Sequence, residues 1–152
     1  MIEVKKECKR KRTDKKISIQ DKKAKSKAKI TFVNENQRSI DEINLDCVFK
    51  ELEKEQRCDG LLVDNSKEKF VELKYFVELK GSNIDKAIMQ LENTIKLLGL
   101  GTETTSFVIF SGSPNFNTKL QTQKNKFEGN TNSKLLIQRT GCEFDLDKRK
   151  FL

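Results

Sequence analysis

Residues 70–80 read Phe-Val-Glu-Leu-Lys-Tyr-Phe-Val-Glu-Leu-Lys, so the tetrapeptide Val-Glu-Leu-Lys is written twice in eleven positions. Alternation of this kind has the two-residue period of a β-strand. It sets Val71, Leu73, Tyr75, Val77 and Leu79 on one side, an apolar face that another layer must cover. The other side carries Glu72, Lys74, Glu78 and Lys80, with Phe70 and Phe76 between them. A carboxylate and an ammonium two residues apart on a strand point the same way. Cys58-Asp59-Gly60 lies upstream and supplies an aspartate to a neighbouring strand.

Composition restricts the chemistry open to such a chain. At 152 residues it is most simply one domain, able to bury roughly 70% of its unfolded surface. No apolar run approaches the roughly 20 residues of a membrane span, and no apolar segment follows the basic N-terminus as a secretory signal requires. Cys8, Cys47, Cys58 and Cys142 make no CxxC pair, which argues against zinc. Reduced thiols in a cytoplasmic protein are the expectation. The chain has no histidine, which excludes Ser-His-Asp and Cys-His catalysis, histidine-metal nucleases and a histidine proton shuttle. Any hydrolysis must run on carboxylates, lysine and metal.

Charge is uneven. Residues 1–29 hold 13 Lys/Arg against four acidic residues, a net +9, whereas the remainder carries −1. This basic segment reads equally as a phosphate-binding arm or as a solvated tail.

Along the chain, residues 5–16 form a basic cluster, loose at its start. Ile17–Gln20 and Ala28–Val33 fit a hairpin or two edge strands around a charged turn. Ile40, Ile43, Leu45, Val48, Phe49 and Leu52 fit an amphipathic helix, with Ser39 as cap and Glu42 three positions on; a strand through Ile43–Phe49 is the other reading. Cys58–Val63 and Phe70–Leu79 are strands joined by a turn at Asp64-Asn65-Ser66. Gly81-Ser82-Asn83 opens a helix capped by Ser82, with Ile84, Ala87, Ile88, Leu91, Ile95 and Leu98 on one face and Gly99 and Gly101 closing it. Thr105–Phe110 is a buried strand and Asn117–Phe127 a polar helix. Leu135–Arg139 is a strand, and Cys142–Leu146 fits another. The class is α/β, a mixed central sheet flanked by helices.

The series Cys58-Asp59-Gly60, Phe76-Val77-Glu78-Leu79-Lys80-Gly81 and Gln90-Leu91 resembles the PD-(D/E)xK nuclease superfamily over about residues 40–140. The resemblance implies a restriction endonuclease-like core (αβββαβ) in a single domain at residues 30–152, behind a basic arm at residues 1–29. It also implies that Asp59 and Glu78 ligate Mg²⁺, for which Mn²⁺ substitutes, together with the Leu79 carbonyl. Lys80 would orient the attacking water and Gln90 would sit near the substrate. Glu42, on the first helix, would complete the site. The family position before the aspartate is proline where this chain has Cys58. The donor set suits Mg²⁺, which takes oxygen ligands and keeps several waters. Lysine stays cationic unless strongly buried, so Lys80 positions the water rather than abstracting a proton.

The doubled tetrapeptide offers two registers. A tight turn at residues 64–67 sets Asp59 opposite Glu72 and favours Glu72 with Lys74. A longer connection sets Asp59 beside Glu78, whose copy runs directly into Gly81 and the helix bearing Gln90. We take Glu78 and Lys80 as the active copy. The implied activity is Mg²⁺-dependent phosphodiester hydrolysis, on DNA, with the basic arm gripping the backbone. The alternatives are an inactive nucleic-acid-binding module of the same fold, or an interaction domain whose strand face is merely solvated. Lack of a base-reading module implies weak sequence specificity, a homodimer, or a partner that supplies targeting. Ser111 and Ser113, after the third strand, read as loop residues, with contact to backbone phosphate as the other reading.

Overall fold

The computed structural model describes residues 2–20, 27–50, 56–65, 72–80, 83–99, 103–113 and 119–152. Leu52, Ser66, Phe70, Val71, Gly81, Ser82, Gly101 and Asn117, to which the sequence expectations extend, lie outside them.

The sheet that carries the doubled motif has six strands in the order β1-β4-β5-β6-β7-β8. They are β1 (Lys9–Arg12), β4 (Ile40–Ile43), β5 (Gly60–Asp64), β6 (Leu73–Lys80), β7 (Glu103–Phe110) and β8 (Lys134–Arg139). The first four pair antiparallel, and β6, β7 and β8 run parallel. Two longer helices connect the parallel strands, as parallel pairing requires: α2 (Ile84–Leu98) and α3 (Leu120–Thr131).

α2 forms where its apolar period predicts. The Asn83 side chain caps it by accepting from the Lys86 amide at 3.1 Å, and Gly99 ends it at φ 80, a left-handed value that suits glycine. α3 buries only Phe127 and Thr131 and stops at Asn132 in the left-handed region.

The opposite face of the sheet is covered by a second sheet rather than by helices. Its order is β10-β9-β3-β2, from β2 (Lys16–Gln20), β3 (Lys29–Val33), β9 (Cys142–Asp145) and β10 (Lys150–Phe151). β2 and β3 form the expected hairpin, and β3 pairs parallel with β9. The alternation of β6 explains both layers. Leu73, Tyr75, Val77 and Leu79 enter the core between the sheets, where Phe32, Phe107 and Phe144 meet edge to face at 5.0–6.1 Å. Phe76 enters the helix-side core with Leu61, Val108, Ile88, Leu91 and Phe127.

Two expectations fail near the N-terminus. The helix expected from Ser39 is the strand β4, followed by a single turn, α1 (Leu45–Val48), capped by Asn44. Ile40 and Ile43 bury on opposite faces of β4, so the strand shows no clean alternation, and their three-residue spacing mimics a helix. The basic cluster is ordered from its start: Lys6–Cys8 is a 3-10 turn that buries Cys8, and Lys9–Arg12 pairs with Ile43–Ile40 at the sheet's edge.

Cys8 and Cys47 form a disulfide, which corrects the expectation of reduced thiols; Cys58 and Cys142 are free. The bond ties the turn before β1 to α1 across 39 residues of sequence. Replacing both with serine should lower unfolding stability by about 2–4 kcal/mol. In urea denaturation, a dithiol reductant should then shift the wild type but not the double variant. No helix among the described residues is long and apolar enough to cross a membrane.

Candidate active site

Register decides which copy of the motif meets Asp59. β5 pairs with β6 through Gly60↔Val77 and Asp64↔Leu73. Just beyond it the Asp59 amide donates to the Val77 carbonyl at 2.9 Å, and the Asp59 side chain accepts from the Leu79 amide. Asp59 therefore lies beside Glu78. The first copy sits at the far end of the strand, with Lys74 opposite Val63.

Asp59, Glu78 and Lys80 come together on the helix-facing side of the sheet. Asp59 Oδ2 accepts from the Leu79 amide at 2.7 Å, which fixes the carboxylate against β6. In extended backbone a residue's N–H and C=O face the same neighbour, so the Leu79 carbonyl is turned toward Asp59 as well. Lys80 Nζ lies 3.0 Å from Glu78 Oε2. The Glu78 side chain is only 1% exposed, against 43% for Glu72 in the corresponding ion pair with Lys74. Burial foremost, and then the Asp59 charge, push the Glu78 carboxyl up to about 9, with Lys80 opposing. Protonated, the Glu78 carboxyl bonds to the Asp59 carboxylate; ionised, its Oε1 is left without a hydrogen-bond partner among the described residues. Burial likewise pushes the neighbouring Cys58 thiol up to about 12, so it is a packed, neutral side chain rather than a nucleophile.

The segment leading into Asp59 is held from above by α2. Gln90 Nε2 donates to the Arg57 carbonyl at 3.2 Å, and the Cys58 amide donates to Thr94 Oγ1 at 2.8 Å. Gln90 is buried, and its side chain holds backbone. Thr94, one turn on, does the same work and was missed; the signal for both was a polar residue recurring at i, i+4 inside an apolar helical face. Arg57 is anchored in turn by Asp46. Below the sheet, a Cβ on Gly60 would lie 2.9 Å from the Ile19 side chain, so glycine lets β2 approach beside the site.

Glu42 is not part of this group. It lies on β4 opposite Leu62, whose side chain enters the core between the sheets, and it binds Arg12 at 2.6 Å and Arg10 at 3.2 Å. Its face of the sheet is the one away from Glu78.

No group of three or more His, Cys, Asp or Glu side chains that could hold a metal occurs among the described residues. What the site offers is leaner, two carboxylates and a carbonyl. A buried carboxylate with an unbonded oxygen beside a second acid is poorly satisfied by protein alone, and a hard divalent cation fits that deficit. No family model matches the chain, and no curated protein or solved structure matches it.

Proposed function

We propose that this protein is a metal-dependent nuclease of the PD-(D/E)xK kind, hydrolysing phosphodiester bonds of DNA. The observation that carries the reading is Glu78, a buried carboxyl flanked by Asp59 and Lys80, whose ionised form leaves one oxygen unbonded. Such a group is costly to hold in a fold unless something uses it.

Asp59, Glu78 and the Leu79 carbonyl would hold Mg²⁺, which supplies Lewis acidity and a more acidic water. Asp59 contributes a carboxylate already fixed by the Leu79 amide, so little reorganisation is needed. Lys80, 21% exposed and anchored on Glu78, presents its ammonium at the rim of the site, where it orients a water and meets negative charge developing on the phosphate. Gln90 and Thr94 keep the strand entrance rigid, so that Asp59 stays within reach of Glu78.

The test is nicking of supercoiled plasmid by the purified protein with Mg²⁺ or Mn²⁺. Metal-dependent conversion to open circles, abolished by EDTA, is the expected result. Salt-sensitive DNA binding without cleavage under any divalent cation would make this an inactive binding module instead. No salt-sensitive binding at all would leave an interaction domain.

A further inference from the structure

We propose that Arg139 grips the DNA backbone beside the cleaved phosphate, a role that rests on the nuclease reading and names the surface along which the substrate runs. The parallel strands β6, β7 and β8 finish level with one another, in the register Lys80↔Phe110↔Arg139. The ladder continues past them, the Ser111 amide donating to the Lys80 carbonyl at 3.0 Å and the Thr140 amide to the Phe110 carbonyl at 2.8 Å. Residues directly opposite across strands share a face. Phe110 belongs to the helix-side core, the face on which Glu78 and Lys80 lie. Lys80, Phe110 and Arg139 therefore form one row across the carboxyl ends of three strands.

Arg139 is held in that row. Its guanidinium carbon lies over the Phe110 ring, 5.1 Å from the centre, a cation–π contact that holds the otherwise exposed side chain in the row. The chain has six arginines. Arg10, Arg12, Arg38, Arg57 and Arg149 each bind a carboxylate. Arg139 alone has none among the described residues. An exposed guanidinium, seated over a ring but without an anion, is shaped to take a phosphate through two parallel hydrogen bonds.

Distance fits as well. Two strand steps of about 4.8 Å set Arg139 roughly 10 Å from Lys80. One nucleic-acid strand rises about 3.4 Å per phosphate, so a contact within about three nucleotides of the reacting bond is in range. The arginines of the N-terminal basic segment are poorer candidates. Arg10 and Arg12 are neutralised by Glu42, and Arg12 also by Asp14.

The experiment measures binding of a fluorescein-labelled DNA duplex by anisotropy, at several NaCl concentrations, with Ca²⁺ replacing Mg²⁺. Steady-state cleavage in Mg²⁺ is measured alongside. Arg139→Ala should weaken binding about tenfold and make the slope of log K against log salt shallower by about 1. In cleavage it should raise KM and leave kcat within about threefold, because it touches a phosphate that does not react. Arg139→Lys should recover the slope while recovering only part of the affinity. An Arg139→Ala protein that binds with wild-type affinity and slope overturns the proposal, and if the wild type still cleaves, the nuclease reading stands without it. A wild type that binds DNA but never cleaves sinks the nuclease reading, and the anisotropy comparison still decides for Arg139. A wild type that does not bind DNA overturns both.

Discussion

Changing Glu78 to glutamine, or Lys80 to alanine, should cut metal-dependent plasmid nicking by about 10²–10³-fold, the usual cost of removing one preorganised charge from a reacting centre. The same substitutions in the first copy of the motif, Glu72→Gln and Lys74→Ala, should leave the rate within about threefold. Local sequence does not separate the two copies, since both read Val-Glu-Leu-Lys and both make a Glu–Lys ion pair. Position separates them. Glu78 lies beside Asp59 with its side chain 1% exposed, and Glu72 is 43% exposed at the far end of the hairpin. The four variants compared in one assay therefore isolate environment from sequence. Loss of nicking in the Glu72 variant but not the Glu78 variant would move the reacting centre to the wrong end of β6.

The second large effect is on stability and its dependence on pH. Burial and the Asp59 charge raise the Glu78 carboxyl to about 9 from an ordinary value near 4.5. The fold thus favours the protonated, neutral form. The contribution is complete below the unfolded value and is lost as pH climbs through the folded one. In EDTA, unfolding stability should therefore decline between about pH 5 and pH 9, by up to about 1.4 kcal/mol per pH unit from this one group. A cation that binds only the folded protein acts in the opposite direction, adding about 2.7 kcal/mol at a hundredfold excess over its dissociation constant. Mg²⁺ should consequently stabilise the protein most at the alkaline end, where the carboxylate is bare. Glu78→Gln should flatten the pH profile and remove the response to Mg²⁺. Urea midpoints across this range, with and without Mg²⁺, are the measurement. A wild-type profile no steeper than that of Glu78→Gln would contradict the burial argument.

The parts of the fold that the sequence disclosed are those in which one residue pattern meets one environment. β6 alternates because its two faces meet different layers, and α2 keeps a 3.6-residue period because only one side of it is covered. β7 reads as a buried strand because seven of its eight residues are buried. β4 failed for the converse reason: buried on both faces, its four residues carry no period of their own. The second sheet was only half visible, since its hairpin is local but the pairing of β3 with β9 joins residues more than a hundred positions apart. Nothing in the spacing of four cysteines selects Cys8 with Cys47. The doubled tetrapeptide left two registers open, and the length of the connection between Asp64 and Leu73 decides between them. Gln90 stood out by its neighbours, yet its contact with the Arg57 backbone is visible only once α2 is laid across the strand entrance.

The first twenty residues belong to both sheets at once, β1 edging the larger and β2 the smaller. The smaller one is stitched from the two extremities of the chain, β2 and β3 with β9 and β10. A truncation intended to remove a charged tail would instead unzip an edge from each layer and bare the aromatic seam between them. For the same reason, closure of the sandwich waits on a loop of more than a hundred residues, whose entropy must be overcome before the back of β6 is shielded from water. Refolding in the range of milliseconds to seconds, with β6 transiently half-covered, is the kinetic signature this topology imposes.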